Sequence, residues 1–204
     1  MNNKGMPNPR LEPLPASHSP ELAAVFETSR KNLGFIPNSF LIMQRRPKIV
    51  QGFAALSAAV WAADGEVDRG FKRLLAFVAS RASGCLYCMA HTGGGALIFG
   101  VDEAKVADVW NYRSSPHYSE AERVALDVAL AAASVPNDVT DELFARLREH
   151  WSEGQIVEIV ALISMFGFLN RFNDTMATPL EDEPIEFGEK FLAGQGWTPG
   201  KHAR

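Results

Sequence analysis

Both cysteines of this 204-residue chain lie in one short stretch, Gly84-Cys85-Leu86-Tyr87-Cys88-Met89-Ala90-His91-Thr92. Two thiols spaced this way suit dithiol redox chemistry, because a sulfur oxidised at one position stays within reach of the second. The thiolate is the reactive form, and an unperturbed cysteine, with a pKa of about 8.5, is only a few per cent ionised at neutral pH. The apolar runs on either side read as helices, so the motif falls where one helix ends and the next begins. In the first turn of that second helix, Cys88 would meet unpaired backbone N–H groups and the positive end of the helix dipole, both of which favour a thiolate. His91, three residues on, shares the same face and is placed to take the thiol proton directly or through a water. Cys85, at the helix entrance, is placed to attack an oxidised Cys88, which is the resolving role.

The same residues admit other chemistry. Cys85, Cys88 and His91 could supply three zinc ligands, with His117 or His150 as the fourth, although no second Cys/His pair stands ready to close a structural site. Attachment of a c-type haem needs histidine directly after the second cysteine, where this chain has Met89. The cysteines could also be small buried hydrophobes and nothing more.

Composition narrows the setting. Apolar residues make up 47% of the chain and charged residues 22%, an ordinary globular balance with enough length for one sizeable core. A formal charge of −4 and the lack of a basic stripe argue against nucleic acid as a partner, since Arg45-Arg46-Pro47-Lys48 is short and broken by proline. No run reaches the roughly 18 uninterrupted apolar residues of a membrane span. The N-terminal residues lack the apolar stretch of a secretion signal. The expectation is a cytoplasmic protein with no membrane attachment, in which a CxxC is catalytic or metal-binding rather than a static staple.

The elements that must position the motif read as helices throughout. Residues 1–19 carry Pro7, Pro9, Pro13 and Pro15 and are expected to form an extended arm. Ser19-Pro20-Glu21 opens a helix predicted to reach Asn32 and stop at Gly34. A turn at 34–38 and a short helix over 39–44 precede a longer helix from Pro47 to Trp61. Residues 67–81 repeat the 3.6 period with Phe71, Leu74, Leu75 and Val78, and a helix over 88–99 follows Ser83-Gly84. Shorter amphipathic helices are predicted over 102–110, 119–133 and 140–151, with Ser119 and Glu122 forming a capping box. Residues 153–172 are apolar on nearly every side and predict a central buried helix. Gly93-Gly94-Gly95 inside a helix predicts a close approach, such as by a second helix across a dimer. The tail, 179–204, is acidic and then rich in glycine and proline, and is expected to lie over a neighbouring subunit. With no strand-like alternation, the fold class is all-α.

These motifs resemble the carboxymuconolactone decarboxylase and alkylhydroperoxidase D (AhpD)-like superfamily, in its peroxidase-related branch. Residues 79–92 follow that family's helix–Gly–Cys–x–Tyr–Cys–x–x–His pattern. Leu33-Gly34-Phe35-Ile36-Pro37-Asn38-Ser39-Phe40 is similar to its Gly-aromatic-Val/Ile-Pro-Asn segment. Tyr118-Ser119-Glu120-Ala121-Glu122-Arg123 and Leu169-Asn170-Arg171-Phe172-Asn173 resemble two further signatures. The resemblance covers residues 20–178 and implies an AhpD-like helical bundle that assembles into homo-oligomers. It also implies a thiol peroxidase that needs no cofactor, neither metal nor haem. In that scheme Cys88 attacks a peroxide oxygen, Cys85 condenses with the resulting sulfenic acid, and an external dithiol reduces the disulfide. His91 then belongs to the proton relay. On the same fold, decarboxylation of a lactone by acid–base chemistry is an alternative, although such members generally lack the CxxC. A non-catalytic redox sensor or scaffold is a third.

The chain departs from AhpD itself at three relay positions. The glutamate twelve residues before the first cysteine is replaced by Arg73, which cannot take a proton but would stabilise a thiolate at close range. The histidine before the second cysteine is replaced by Tyr87, a hydrogen-bond donor toward peroxide or Cys88, or else a packing residue at a subunit seam. The relay histidine four residues past the second cysteine is replaced by Thr92, with His91 one place earlier on the same face. Elsewhere Trp61, Trp110 and Trp151 read as core anchors, and Arg171 as the partner of a buried carboxylate such as Glu122. His18 and His202 lie in the arms and carry no assigned role.

Overall fold

Glycines, prolines and capping side chains set the helix ends in the computed structural model of the chain, which describes residues 9–203. A 3-10 turn at Pro20–Leu22 leads into α1 (Ala23–Leu33), which stops at Gly34, whose left-handed φ of 89° suits a residue without a Cβ. α2 (Asn38–Met43) and α3 (Pro47–Val60) follow, the latter opening on its proline. α4 (Arg69–Ala82) is capped by the Asp68 carboxylate, which accepts from the Phe71 N–H. Next come α5 (Leu86–Ile98), α6 (Glu103–Ala107) and α7 (Glu120–Ala133), which begins in the Ser119/Glu122 capping box with both bonds formed. α8 (Asp141–His150), α9 (Glu153–Met176) and α10 (Asp182–Phe187) complete the set. Among the described residues there is no strand, and the fold is all-α.

The central helix is α4, which packs on α5, α7 and α9 and buries Phe71, Leu74, Leu75, Phe77 and Val78. Lys72 is buried with them. Its Nζ reaches Glu158 Oε2 at 2.6 Å and the Val60 carbonyl at 2.9 Å, so the core cation is paired and hydrogen-bonded. A second, smaller cluster of Leu22, Phe26, Met43 and Val50 ties α1 to α2 and α3.

Several sequence expectations change here. α5 starts at Leu86, two residues before its predicted start, because the Cys85 sulfur itself caps the helix. α9 runs four residues past the expected Phe172. It was predicted to be buried on nearly all sides, yet it leaves Val157, Val160 and Phe168 exposed. α9 reaches the length and mean hydropathy of a spanning helix, although it carries Glu158 and packs on α4, α5 and α7. The glycine triplet admits neighbours from the same chain: a Cβ at Gly93 would lie 2.5 Å from the Phe187 ring, and one at Gly95 would lie 3.3 Å from Arg73 Nη1. Arg171 is exposed and donates to the Gly167 carbonyl, while Glu122 pairs with Lys105. The residues beyond Thr178 fold onto their own chain, with α10 against α5 and the Trp197 indole N–H donating to the Leu86 carbonyl. His202, given no role, is fully buried there, with Nδ1 2.8 Å from the Thr178 carbonyl.

Candidate active site

The break between α4 and α5 determines where the two sulfurs go. Gly84, at φ 69°, turns the chain so that Cys85 becomes the N-cap of α5 in extended conformation. Its Sγ accepts the Cys88 N–H at 3.4 Å, which brings the Cys85 sulfur up to the first turn of the helix. Both cysteines are free thiols and both are buried. They differ in what they face. Cys88 lines a cavity of about 530 Å³ bounded by α1, α2, α3, α4, α5 and α9, and Cys85 is not part of that wall.

Around Cys88 the side chains are held by hydrogen bonds that few local sequence signals foretold. The Asn173 amide donates to the Cys88 sulfur at 3.5 Å, and its oxygen accepts from the Thr178 hydroxyl at 2.9 Å, which fixes the amide's orientation. His91, one turn beyond Cys88, also lines the cavity, and its Nε2 lies 2.6 Å from Glu181 Oε2. The other oxygen of Glu181 accepts the Tyr87 hydroxyl at 2.9 Å and the Asn38 backbone N–H in a short hydrogen bond. Tyr87 stacks on the His91 ring at 4.2 Å, and Phe35 meets that ring edge-on. The Gly-aromatic-Ile-Pro-Asn segment therefore contributes one ring and one N–H to holding the histidine–carboxylate pair.

Glu181 is the residue that sequence reasoning missed. It stands ninety residues from His91, in the run Glu181-Asp182-Glu183, and nothing local distinguishes it from its acidic neighbours. Burial works to raise its carboxyl pKa. The His91 ring and the backbone N–H groups outweigh that and hold it below the usual carboxylate range. A carboxylate thus reaches His91 from the C-terminal segment, while position 73, twelve residues before the first cysteine, holds Arg73. Asn173 falls in the Leu169–Asn173 segment, where nothing local marks it as the donor to the Cys88 sulfur.

The other expected site residues divide. Tyr87 is buried, and its hydroxyl is engaged by Glu181 rather than by Cys88. Thr92 lines the cavity but donates back to the Cys88 carbonyl at 2.7 Å, so its hydroxyl is occupied within the helix. Arg73 also lines the cavity and makes no hydrogen bond to Cys88; its guanidinium lies over Trp61 at 4.1 Å and Phe99 at 4.7 Å. Trp61, expected to be a core anchor, is thereby a wall of the cavity. Among the described residues no three His, Cys, Asp or Glu side chains converge as metal ligands would.

The ionisation of Cys88 runs against the helix-dipole expectation. Burial pushes its thiol well above the ordinary range, the Cys85 sulfur and the Asp174 charge add to that, and the Asn173 amide only partly opposes it. The resting sulfur is therefore a neutral thiol at pH 7, and a base must remove its proton. Iodoacetamide alkylation of Cys88 in a Cys85→Ser background is expected to accelerate about tenfold per pH unit through pH 9 without levelling off. A plateau near pH 7 in the alkylation rate, followed by mass spectrometry, would contradict this. The same shift has a stability consequence of fixed sign. A thiol whose folded pKa is raised stays protonated while the unfolded chain ionises, so this contribution to stability falls as pH rises above the ordinary thiol value.

An all-helical chain built around a buried dithiol, with one sulfur facing a cavity and a histidine–carboxylate pair beside it, defines a class. Residues 47–131 match the model of the carboxymuconolactone decarboxylase family. The crystal structure of the apo debrominase Bmp8 superposes with a TM-score of 0.85 at 33% identity, covering 92% of this chain and 100% of that one. A peroxidase-related protein with an AhpD core from Ralstonia eutropha JMP134 gives a TM-score of 0.74 at 26% identity, covering 85% of this chain and 94% of that one. The uncharacterized protein YdfG of Bacillus subtilis (strain 168) is 28% identical over 111 residues, 54% of this chain and 76% of its own length. The chain belongs to the carboxymuconolactone decarboxylase/AhpD-like superfamily.

Proposed function

We propose that the protein is a thiol-dependent peroxidase that reduces an organic hydroperoxide through a Cys88/Cys85 dithiol–disulfide cycle. The observation that carries this reading is the asymmetry of the two sulfurs: Cys88 faces a largely apolar cavity while Cys85 is sealed behind it. His91, backed by Glu181, takes the Cys88 proton. The thiolate then attacks the outer peroxide oxygen, the O–O bond breaks, and the alkoxide leaves as an alcohol on taking up that proton. Cys85 attacks the sulfenic acid at Cys88, forming the disulfide and releasing water. An external dithiol restores both thiols and leaves as its own disulfide. A reducing cytoplasm suits such a cycle. Homo-oligomeric assembly is part of the proposal, supported by the exposed Ile49 and Leu56 of α3 and Val157, Val160 and Phe168 of α9.

A second reading, reductive dehalogenation, is favoured by the likeness to the debrominase Bmp8, also solved in complex with 2,3,4-tribromopyrrole. The cavity walls of Trp61, Phe99 and Phe166 would suit a flat aromatic ring. In that case Cys88 takes the halogen, the ring carbon takes a proton, and Cys85 expels halide as the disulfide forms. The reduced protein, challenged anaerobically with stoichiometric cumene hydroperoxide or with a bromopyrrole, separates the two. Loss of both thiols with cumyl alcohol formed supports the first reading, and bromide release supports the second. Thiols untouched by either compound would overturn both.

A further inference from the structure

Arg69 and Arg73 stand one turn apart on α4, and both line the cavity that Cys88 faces. Neither makes a hydrogen bond or ion pair with a described residue, and the Nε of each is buried without a partner. Other arginines of the chain do find oxygen: Arg45 on backbone carbonyls, Arg113 on Asp127, Arg123 on two carbonyls and Glu120. Among the described residues the cavity wall holds these two cations and no carboxylate. Two like charges side by side in a partly dehydrated pocket repel and are poorly solvated, an arrangement that an anion between them relieves.

Their positions are fixed before any ligand arrives. Arg73 is laid over Trp61 and Phe99, and Arg69 over Phe99 at 4.8 Å, so aromatic faces hold both guanidinium planes. Gly95 leaves the room for this, since a Cβ there would come within 3.3 Å of Arg73 Cδ and Nη1. Stacking satisfies the flat faces of the two groups and leaves their N–H edges free. Burial, and then the neighbouring Arg69 charge, lower the Arg73 pKa to about 10, which still keeps it cationic at neutral pH.

We propose that Arg69 and Arg73 form an oxyanion-binding pair, and that the cavity takes an amphipathic carboxylate whose apolar body lies along Phe53, Phe166 and Leu169. The assignment rests on the reading of this cavity as the substrate site and names the class of substrate: a carboxylate-bearing hydroperoxide or haloaromatic rather than a neutral one. Bidentate N–H edges and a carboxylate are matched in geometry as well as charge.

Binding tests this apart from turnover. Cys88→Ser protein, which has no redox chemistry at that site, is titrated by calorimetry with two matched pairs: 2-naphthoate against 2-naphthamide, and dodecanoate against 1-dodecanol. At least one acid is expected to bind about tenfold or more tighter than its neutral partner. That preference should shrink as chloride is raised and disappear in Arg73→Met, which keeps the apolar stem. Should Arg73→Met fail to fold, as read by circular dichroism, Arg69→Met and the chloride dependence of the unaltered pair carry the test. Equal affinity within both pairs, no binding by either acid, or a preference that survives an Arg69→Met/Arg73→Met double variant would overturn the proposal. The outcomes are separable: acid-selective binding with inert thiols sinks the peroxidase reading alone, and thiol turnover of cumene hydroperoxide without acid selectivity sinks the anion site alone.

Discussion

Cys88→Ser is expected to abolish steady-state turnover, by about 10³-fold or more, whereas Cys85→Ser should complete one reaction and stop. The difference follows from where each sulfur sits. Cys88 is the one that meets the cavity, so in the proposed cycle its loss removes the nucleophile. Cys85 lies behind it as the N-cap of α5, so its loss leaves the first step intact and the oxidised Cys88 without a partner. Serine is a preferred N-cap residue, so Cys85→Ser should hold the start of α5 at least as well as the cysteine does. Rapid mixing with cumene hydroperoxide should therefore give Cys85→Ser a full burst of one equivalent of alcohol, with a sulfenic acid trapped by dimedone at Cys88. Cys88→Ser should give neither burst nor adduct. A burst from Cys88→Ser with an adduct at Cys85 would reverse the two roles.

The helices were legible because their signals are local. An apolar stripe at 3.6-residue spacing, Pro47 at a first position, Gly34 past a last one and the Ser119/Glu122 box each set an end without reference to the rest of the chain. The dithiol was legible for the same reason: cap, sulfur and histidine lie within seven residues. What the sequence concealed is long-range. His91 meets Glu181 only because the C-terminal segment returns along α5, and Phe187 fits there only because Gly93 has no side chain. The triplet announced a close approach but not its partner. The same blindness affected charge. A helix N-terminus argued for a Cys88 thiolate, yet burial, invisible in a local reading, pushes the thiol pKa well above its ordinary value. Arg73 likewise read as a lost glutamate, whereas its stacking on Trp61 and its position one turn from Arg69 give it a place of its own in the cavity wall.

Glu181→Gln carries the other large expected effect, a fall in kcat/KM of about 10²-fold or more at neutral pH. Glutamine has nearly the same shape and can still accept from Tyr87 and the Asn38 N–H, but it presents no negative charge to His91. A neutral buried thiol has to pass its proton to something, and an imidazole receives it less readily when the cation that forms lacks a counter-charge. Glu181 makes no hydrogen bond to the Cys88 sulfur and does not line the cavity, so in the proposed cycle it acts through His91, as a positioning residue. That role leaves two kinetic signatures that simple destabilisation would not. His91→Gln and Glu181→Gln should be non-additive, the double variant scarcely slower than His91→Gln alone, because the two work as one unit. The deficit of Glu181→Gln should also narrow as pH climbs toward the raised range of the Cys88 thiol, where the sulfur ionises without help. Stability gives an independent check with its own sign. A carboxyl held low in the folded state contributes stability that is present above its unfolded value and lost as pH falls through the folded one. Wild type should therefore lose part of its melting-temperature advantage over Glu181→Gln as acidity increases below about pH 4.5. A kinetic deficit unchanged from pH 7 to pH 9.5 would mean that the carboxylate merely braces the C-terminal segment and has no part in moving the proton.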